Sequence, residues 1–245
     1  MHSYFLAFLL LVLASFSCRA EVLVIGVEDT RYLPHYGVVD GEYQGLGRVV
    51  LDAFFASRGQ AVRYRPLPVN RLYRNFLAGE LDFKYPANPL WKAELKSDTP
   101  IVYSVPVVEF MDAVSVLPEH RNLKPSQLRT VGTVRGFTFT SLLNSEDVEL
   151  LQVIENDSVR GMIEQALIGR VGGVFANIDV VQFVLRDELK QPDALQFAPF
   201  LPHYRDSYRL ATIKHNGIIE KFDQWLVQQA DFLQQLKQDY HLEQP

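Results

Sequence analysis

The chain has a single cysteine, Cys18, and it falls inside an apolar N-terminal segment. The remaining chain therefore offers no disulfide framework, no catalytic thiol and no thiolate metal site. Histidine is sparse as well: the six, at positions 2, 35, 120, 203, 215 and 241, show no H-x-H, H-x-x-H or HExxH spacing. No metal site and no cofactor are expected from them. There is no G-x-S-x-G and no phosphate-cradling Walker loop. Gly45-Leu46-Gly47-Arg48-Val49-Val50 carries half of a dinucleotide fingerprint but lacks the third glycine and follows a turn rather than a strand. Positive charge is also short, 24 Lys and Arg against 29 Asp and Glu. That balance argues against nucleic acid or an anionic membrane surface as partner. Low-complexity linkers and solenoid-length repeats are absent.

What is present begins with an export signal. Residues Tyr4 to Phe16 are apolar, too short a run to span a bilayer comfortably, which takes ~20 residues. Small residues and Cys18-Arg19-Ala20 follow, a small-x-small pattern suited to signal peptidase. The segment before the run has no Lys or Arg, and Ser15-Phe16-Ser17 ahead of Cys18 is not a lipoprotein signature. Residues 1–20 are expected to be removed after Ala20. A chain of net charge about −6 is left, since only Arg19 goes with the signal; it is expected to diffuse freely in the periplasm as a monomer. With 48% hydrophobic residues it has enough apolar material for one or two packed cores.

The mature start, Val22 to Val27, reads as a buried strand. The loop Glu28 to Tyr43 is rich in turn formers. A helix follows from about Leu46 to Ser57, then a strand over Val62–Arg65, a helix capped by Asn70 and ended by Gly79, and a strand over Leu81–Tyr85. Strand and helix alternate as in a parallel sheet. The pattern restarts with strands at Val114–Leu117 and Val131–Val134, a short helix near 138–143 and a strand at Leu150–Ile154. A helix capped by Asp157-Ser158, a strand over Gly173–Ala176 and a helix near Asp179–Leu189 come next. Tyr208–Ile213 is strand-like, and one long helix is expected from Ile218 to Tyr240. Two α/β units of this size point to two lobes around a cleft.

In parallel α/β sheets, ligands bind beyond the carboxyl ends of strands. Four such ends are readable: Asp29 to Tyr36, Lys84 to Trp91, Arg135 to Thr140, and Ala176 to Asp179. Aromatic and basic residues concentrate in the first three. Tyr32, Tyr85 and Phe137 could each singly serve as core aromatics; as a set they suggest a recognition surface.

The order of these segments resembles bacterial periplasmic solute-binding proteins of the amino-acid-binding type, family 3. Gly26 to Pro34 and Asp40-Gly41-Glu42-Tyr43-Gln44-Gly45 are similar to the family's opening strand and D-G-x-x-x-G turn. Asn70-Arg71-Leu72 with Ala78-Gly79-Glu80-Leu81-Asp82, Tyr103 to Val107, and Val131 to Thr138 resemble its later motifs. The resemblance implies an α/β, two-lobed type II periplasmic-binding-protein fold, each lobe a mixed, mostly parallel sheet flanked by helices. Lobe one is expected at 21–107 plus 207–245 and lobe two at 108–206, joined by two hinge strands that let the lobes close on a ligand. It further implies capture of a small polar organic ligand and delivery to an ABC permease, or to a membrane sensor.

Departures from the family point away from standard amino acids. Where the family places an arginine that clamps the ligand carboxylate, Asn88-Pro89-Leu90-Trp91 puts Trp91, and Lys92 does not replace a bidentate fork. Where it places an aspartate for the ligand ammonium, Asn177 stands, with Asp179 two residues on. The expected ligand-binding set is Asp29, Arg31, Tyr32, Lys84, Tyr85, Asn88, Trp91, Arg135, Phe137, Thr138, Asn177 and Asp179. The aromatics favour a planar or cationic ligand; Lys84, Arg31 and Arg135 leave an anionic group open. No enzyme is expected. Periplasmic cyclohexadienyl dehydratases share the fold, however, and Glu28, Asp29 and Asp179 are the acids available to an enzymatic alternative.

Overall fold

The computed structural model describes residues 21–96, 99–135, 137 and 151–242. Residues 1–20, Thr138 and the short helix expected near 138–143 lie outside the described residues. Strand β1 (Leu23–Glu28) forms because Leu23, Ile25 and Val27 fill one face completely. It pairs in parallel with β5 (Val62–Leu67) on one side and β6 (Phe83–Ala87) on the other. The crossovers are helices α1 (Leu46–Ser57) and α2 (Val69–Leu77). On α1, Leu46, Val50, Leu51, Phe54 and Phe55 are buried in one stripe, each worth about 1.5–3 kcal/mol relative to exposure.

The loop expected between Glu28 and Tyr43 is instead a small antiparallel sheet of β2 (Arg31–Tyr32), β3 (Tyr36–Val39) and β4 (Glu42–Gln44). Strands of two to four residues are too short to show alternation in a sequence. Two glycines fix this sheet and its neighbour. Gly45 has φ of 101°, and a Cβ there would lie 2.8 Å from Tyr36 Cα, so the hairpin presses directly on the start of α1. A Cβ on Gly47 would lie 2.3 Å from Tyr85 Cε1. The half-fingerprint of the sequence is thus a packing device.

Asn70 does not cap α2. The helix starts two residues earlier, behind Pro68 (φ −54°, ψ 141°), whose carbonyl accepts from Arg71 and Leu72 N–H; the fixed proline φ sets the helix start and leaves Asn70 inside the first turn. Short α3 (Ala93–Lys96) and β7 (Val102–Tyr103) follow.

The second unit opens on β8 (Val108–Val116), six residues longer at its start than the apolar run suggests, because Glu109 and Asp112 interrupt the hydrophobic signal. Strands β9 (Thr130–Val134), β10 (Gln152–Asn156) and β11 (Val174–Asn177) pair in parallel. Helix α4 (Val159–Leu167) is capped by Ser158 Oγ, which accepts from Gly161 N–H at 3.1 Å. Helix α5 (Ile178–Phe183) continues through a wider π-helical turn to Glu188. After β12 (Gln196–Phe197), the ten-residue β13 (His203–Thr212) pairs antiparallel with β8 over its first half and with β6 and β7 over its second. The strand order β10-β9-β11-β8-β13-β6-β1-β5 therefore joins two parallel units through two central antiparallel strands.

The long terminal helix is two helices, α6 (Asn216–Gln228) and α7 (Ala230–Asp239). The chain leaves helical geometry at Gln229 (φ −104°, ψ 27°). The break lets α6 pack on β13 and α7 on α1. Phe54 meets Phe222 and Trp225 edge-on at that junction, at 4.8 Å and 5.7 Å. Among the described residues, no helix is long and apolar enough to cross a membrane.

Candidate functional site

Beyond the carboxyl end of β1, facing β8 and β13, lies a narrow cleft of about 40 Å³ that widens into open solvent. Its walls are largely aromatic: Tyr32 and Tyr36 from the small sheet, Tyr73 from α2, Trp91 from the loop after β6, Phe137 after β9, and Tyr208 from β13. The rings support one another. Tyr32 meets Phe137 edge-on at 5.1 Å and Tyr36 at 5.3 Å; Tyr36 meets Tyr208 at 88° and 5.5 Å, and Trp91 meets Tyr208 at 5.9 Å. Phe110 stacks behind Tyr208 at 4.4 Å. Burial pushes the Tyr32, Tyr36 and Tyr208 hydroxyls up in pKa, so they stay neutral.

Two carboxylates, one lysine and one valine complete the lining: Glu28, Asp112, Lys92 and Val69. Glu28 ends β1 and is fully enclosed. Burial raises its pKa, while the Lys84 charge and the Tyr36 hydroxyl, which donates to Oε2 at 3.2 Å, oppose the rise. Lys84, beside β1 on β6, is buried too. Desolvation lowers its pKa to about 8, Glu28 acting against that. Its ammonium donates to the Pro86 carbonyl and sits 4.5 Å from the Tyr73 ring centroid. Asp112 is less well answered. Its Oδ1 is covered and accepts no hydrogen bond among the described residues, and desolvation, with the like charge of Asp206, pushes the carboxyl up to about 7.

The expected binding set divides sharply. Tyr32, Trp91 and Phe137 line the cavity. Asp29 is exposed, and Arg31 reaches away to Glu188 at 3.0 Å. Arg135 is exposed between Glu155 (3.7 Å) and Asp157 (3.5 Å). Lys84 lies behind the lining, and Tyr85 is wedged under Gly47. Asn88 braces its own loop, accepting from Leu90 N–H at 2.8 Å and donating to the Ser207 carbonyl at 3.3 Å.

Asn177 and Asp179 serve the protein's own contacts. The Asn177 carboxamide oxygen caps α5, accepting from Asp179 and Val180 N–H at 2.8 and 3.3 Å, and its amide donates to Tyr208 Oη at 3.3 Å. Its backbone N–H donates to Tyr32 Oη at 3.0 Å. Asp179 meets His35 Nε2 at 3.0 Å, both side chains buried. These contacts tie the first unit to the second directly behind the cavity.

Sequence reasoning left Tyr36, Val69, Tyr73, Lys92, Asp112 and Tyr208 out of the site and counted Glu28 only as an available acid. Tyr73 and Tyr208 read as core in an apolar stripe and strand. Asp112 gave no signal of its own, because with Glu109 it only interrupts the apolar run of β8. Glu28, at the end of the first strand, occupies the position where ligands of parallel sheets are met.

No family model matches the chain, and no curated protein matches it. Solved structures do match in fold. One is an ancestral amino-acid-binding protein described as a precursor of cyclohexadienyl dehydratase, at 16% identity over 94% of this chain and 99% of that one, with a TM-score of 0.70. Another is the substrate-binding protein of an amino acid ABC transporter, at 16% identity over 91% of this chain and 100% of that one, TM-score 0.68. A third is the GluR0 ligand-binding core in complex with L-glutamate, at 15% identity over 91% and 99% of the two chains, TM-score 0.72. The chain has the type II periplasmic-binding-protein fold, as the sequence resemblance implied; at such identities the likeness extends to the fold alone.

Proposed function

We propose that this protein is an exported receptor that captures a small polar organic ligand between two lobes, 21–107 with 207–245 and 108–206, and hands it to an ABC importer. One observation carries the reading: an aromatic cavity whose walls come from both units of the sheet, at the carboxyl end of β1 and against β8 and β13. Solved structures of this fold that bind amino acids support it. The test is native mass spectrometry of protein purified from its periplasmic extract, followed by thermal shift with the molecule released. The wild type is expected to carry a small ligand and melt several degrees higher with it. Trp91→Ala is expected to fold yet lose most of that shift. An empty wild-type protein that no extract fraction stabilises sinks the reading.

A second reading, an enzyme on the same scaffold, is favoured by Asp112, whose carboxyl near pH 7 suits proton transfer. Turnover of prephenate or arogenate decides it. None is expected, because the acid felt at Asp112 is Asp206, already committed to Tyr204 and Ser207, and Glu28 across the lining is balanced by Lys84.

A further inference from the structure

Three cations that the sequence offers to an anionic ligand are committed elsewhere. Arg31 pairs with Glu188 on the surface, and Arg135 sits between Glu155 and Asp157. Lys84 is turned into the protein, balanced by Glu28. Among the described residues, Lys92 is the one cation in the cavity wall, and it is partly exposed, where water and salt screen it.

The carboxylates stand differently. Glu28 is answered by Lys84 and by the Tyr36 hydroxyl. Among the described residues Asp112 has no such answer: Oδ1 is covered and without a hydrogen bond, and the charge felt most strongly beside it is another carboxylate, Asp206. Asp206 itself is occupied, accepting from Tyr204 Oη and from Ser207 N–H. Covering a carboxylate without a partner is costly, and a ligand that brings both a donor and a positive charge removes the cost. The neighbouring rings suit the same ligand, because the faces of Trp and Tyr attract cations. The protein already uses them so, with Lys84 Nζ 4.5 Å from the Tyr73 centroid and 6.0 Å from that of Trp91.

We infer that the ligand is a small organic cation without a carboxylate, its ammonium or quaternary ammonium head held by Asp112 amid Tyr32, Trp91, Phe137 and Tyr208. This rests on the receptor reading above and names the ligand class of that same cavity.

Isothermal titration of the full protein with choline, with the neutral isostere in which carbon replaces the quaternary nitrogen, and with the corresponding carboxylate tests it. Choline is expected to bind at least about tenfold more tightly than the neutral isostere, and the carboxylate not to bind. Asp112→Asn, checked for folding by circular dichroism, is expected to lose about tenfold for choline and to leave the neutral isostere unchanged. Equal affinity for cation and isostere, or preference for the carboxylate, overturns the class while the receptor reading stands. So does an amino acid that binds more tightly than its methyl ester. Failure of every probe, together with protein that purifies empty, overturns the receptor reading and the class with it.

Discussion

Removing water from a carboxylate penalises its ionised form, and Asp112 carries the consequence into stability. Its folded-state pKa of about 7 exceeds the value of about 3.9 expected in an unfolded chain. Between those limits the folded protein holds a proton that the unfolded chain has lost, so stability falls as pH rises from about 4 to 7. The groups that face Asp112 do not rescue it. Asp206 and Tyr204 on β13 repel or are neutral, Tyr32 and Tyr208 stay protonated, and Lys92 is partly exposed. Asp112→Asn is therefore expected to stabilise the empty protein at pH 8 by about 1–3 kcal/mol, the gain vanishing near pH 4. Urea unfolding across that pH range measures it; a gain independent of pH would mean that the carboxyl titrates normally. A substitution that strengthens the empty protein and weakens cation binding marks a residue kept for function. Nothing in the sequence gives Asp112 this role, because one acid in a strand looks the same whether it faces water or a cavity. Trp91 was legible because it stands where the resemblance demands an arginine.

At the scale of elements, pattern length decided what could be read. Helix α1 shows three turns of apolar periodicity and matches its expected bounds, Leu46 to Ser57. The strands of the small sheet run two to four residues and leave no period to detect. Asn177 shows a subtler confusion, since a polar residue closing a buried strand suits a ligand contact and a helix cap equally. In the fold it caps α5. Asn177→Ala is expected to cost about 1–2 kcal/mol in urea unfolding with an unchanged m-value. Asn177→Ser keeps a capping oxygen for the first-turn N–H groups and loses the amide donor to Tyr208, so it is expected to cost less. Equal loss in both variants would place the energy in the Tyr208 contact instead of the cap.

Across the whole molecule, the contacts behind the cavity have a consequence for closure. His35 meets Asp179, Tyr32 accepts from Asn177, and Arg31 meets Glu188, all bridging residues 31–35 and 177–188. On the two-lobed reading these bridges belong to the closed arrangement, and the hinge lies in β8 and β13, which cross between the units. Cutting them lowers the closed population before ligand arrives. Apparent affinity falls by the same fraction, because only the closed form completes the site. The double variant Arg31→Ala with Asp179→Asn removes the Arg31 bridge and the charge of the Asp179 one; Arg31 is half exposed, so its share of folding stability is small. Without ligand, its radius of gyration by small-angle scattering is expected to exceed that of the wild type, with saturating choline restoring the compact value and the dissociation constant rising about tenfold. A purely structural role for the bridges would instead lower the melting temperature and leave both the scattering and the affinity of the folded fraction unchanged. The two outcomes separate a latch from a brace, and with it a molecule that closes on its ligand from one that is permanently shut.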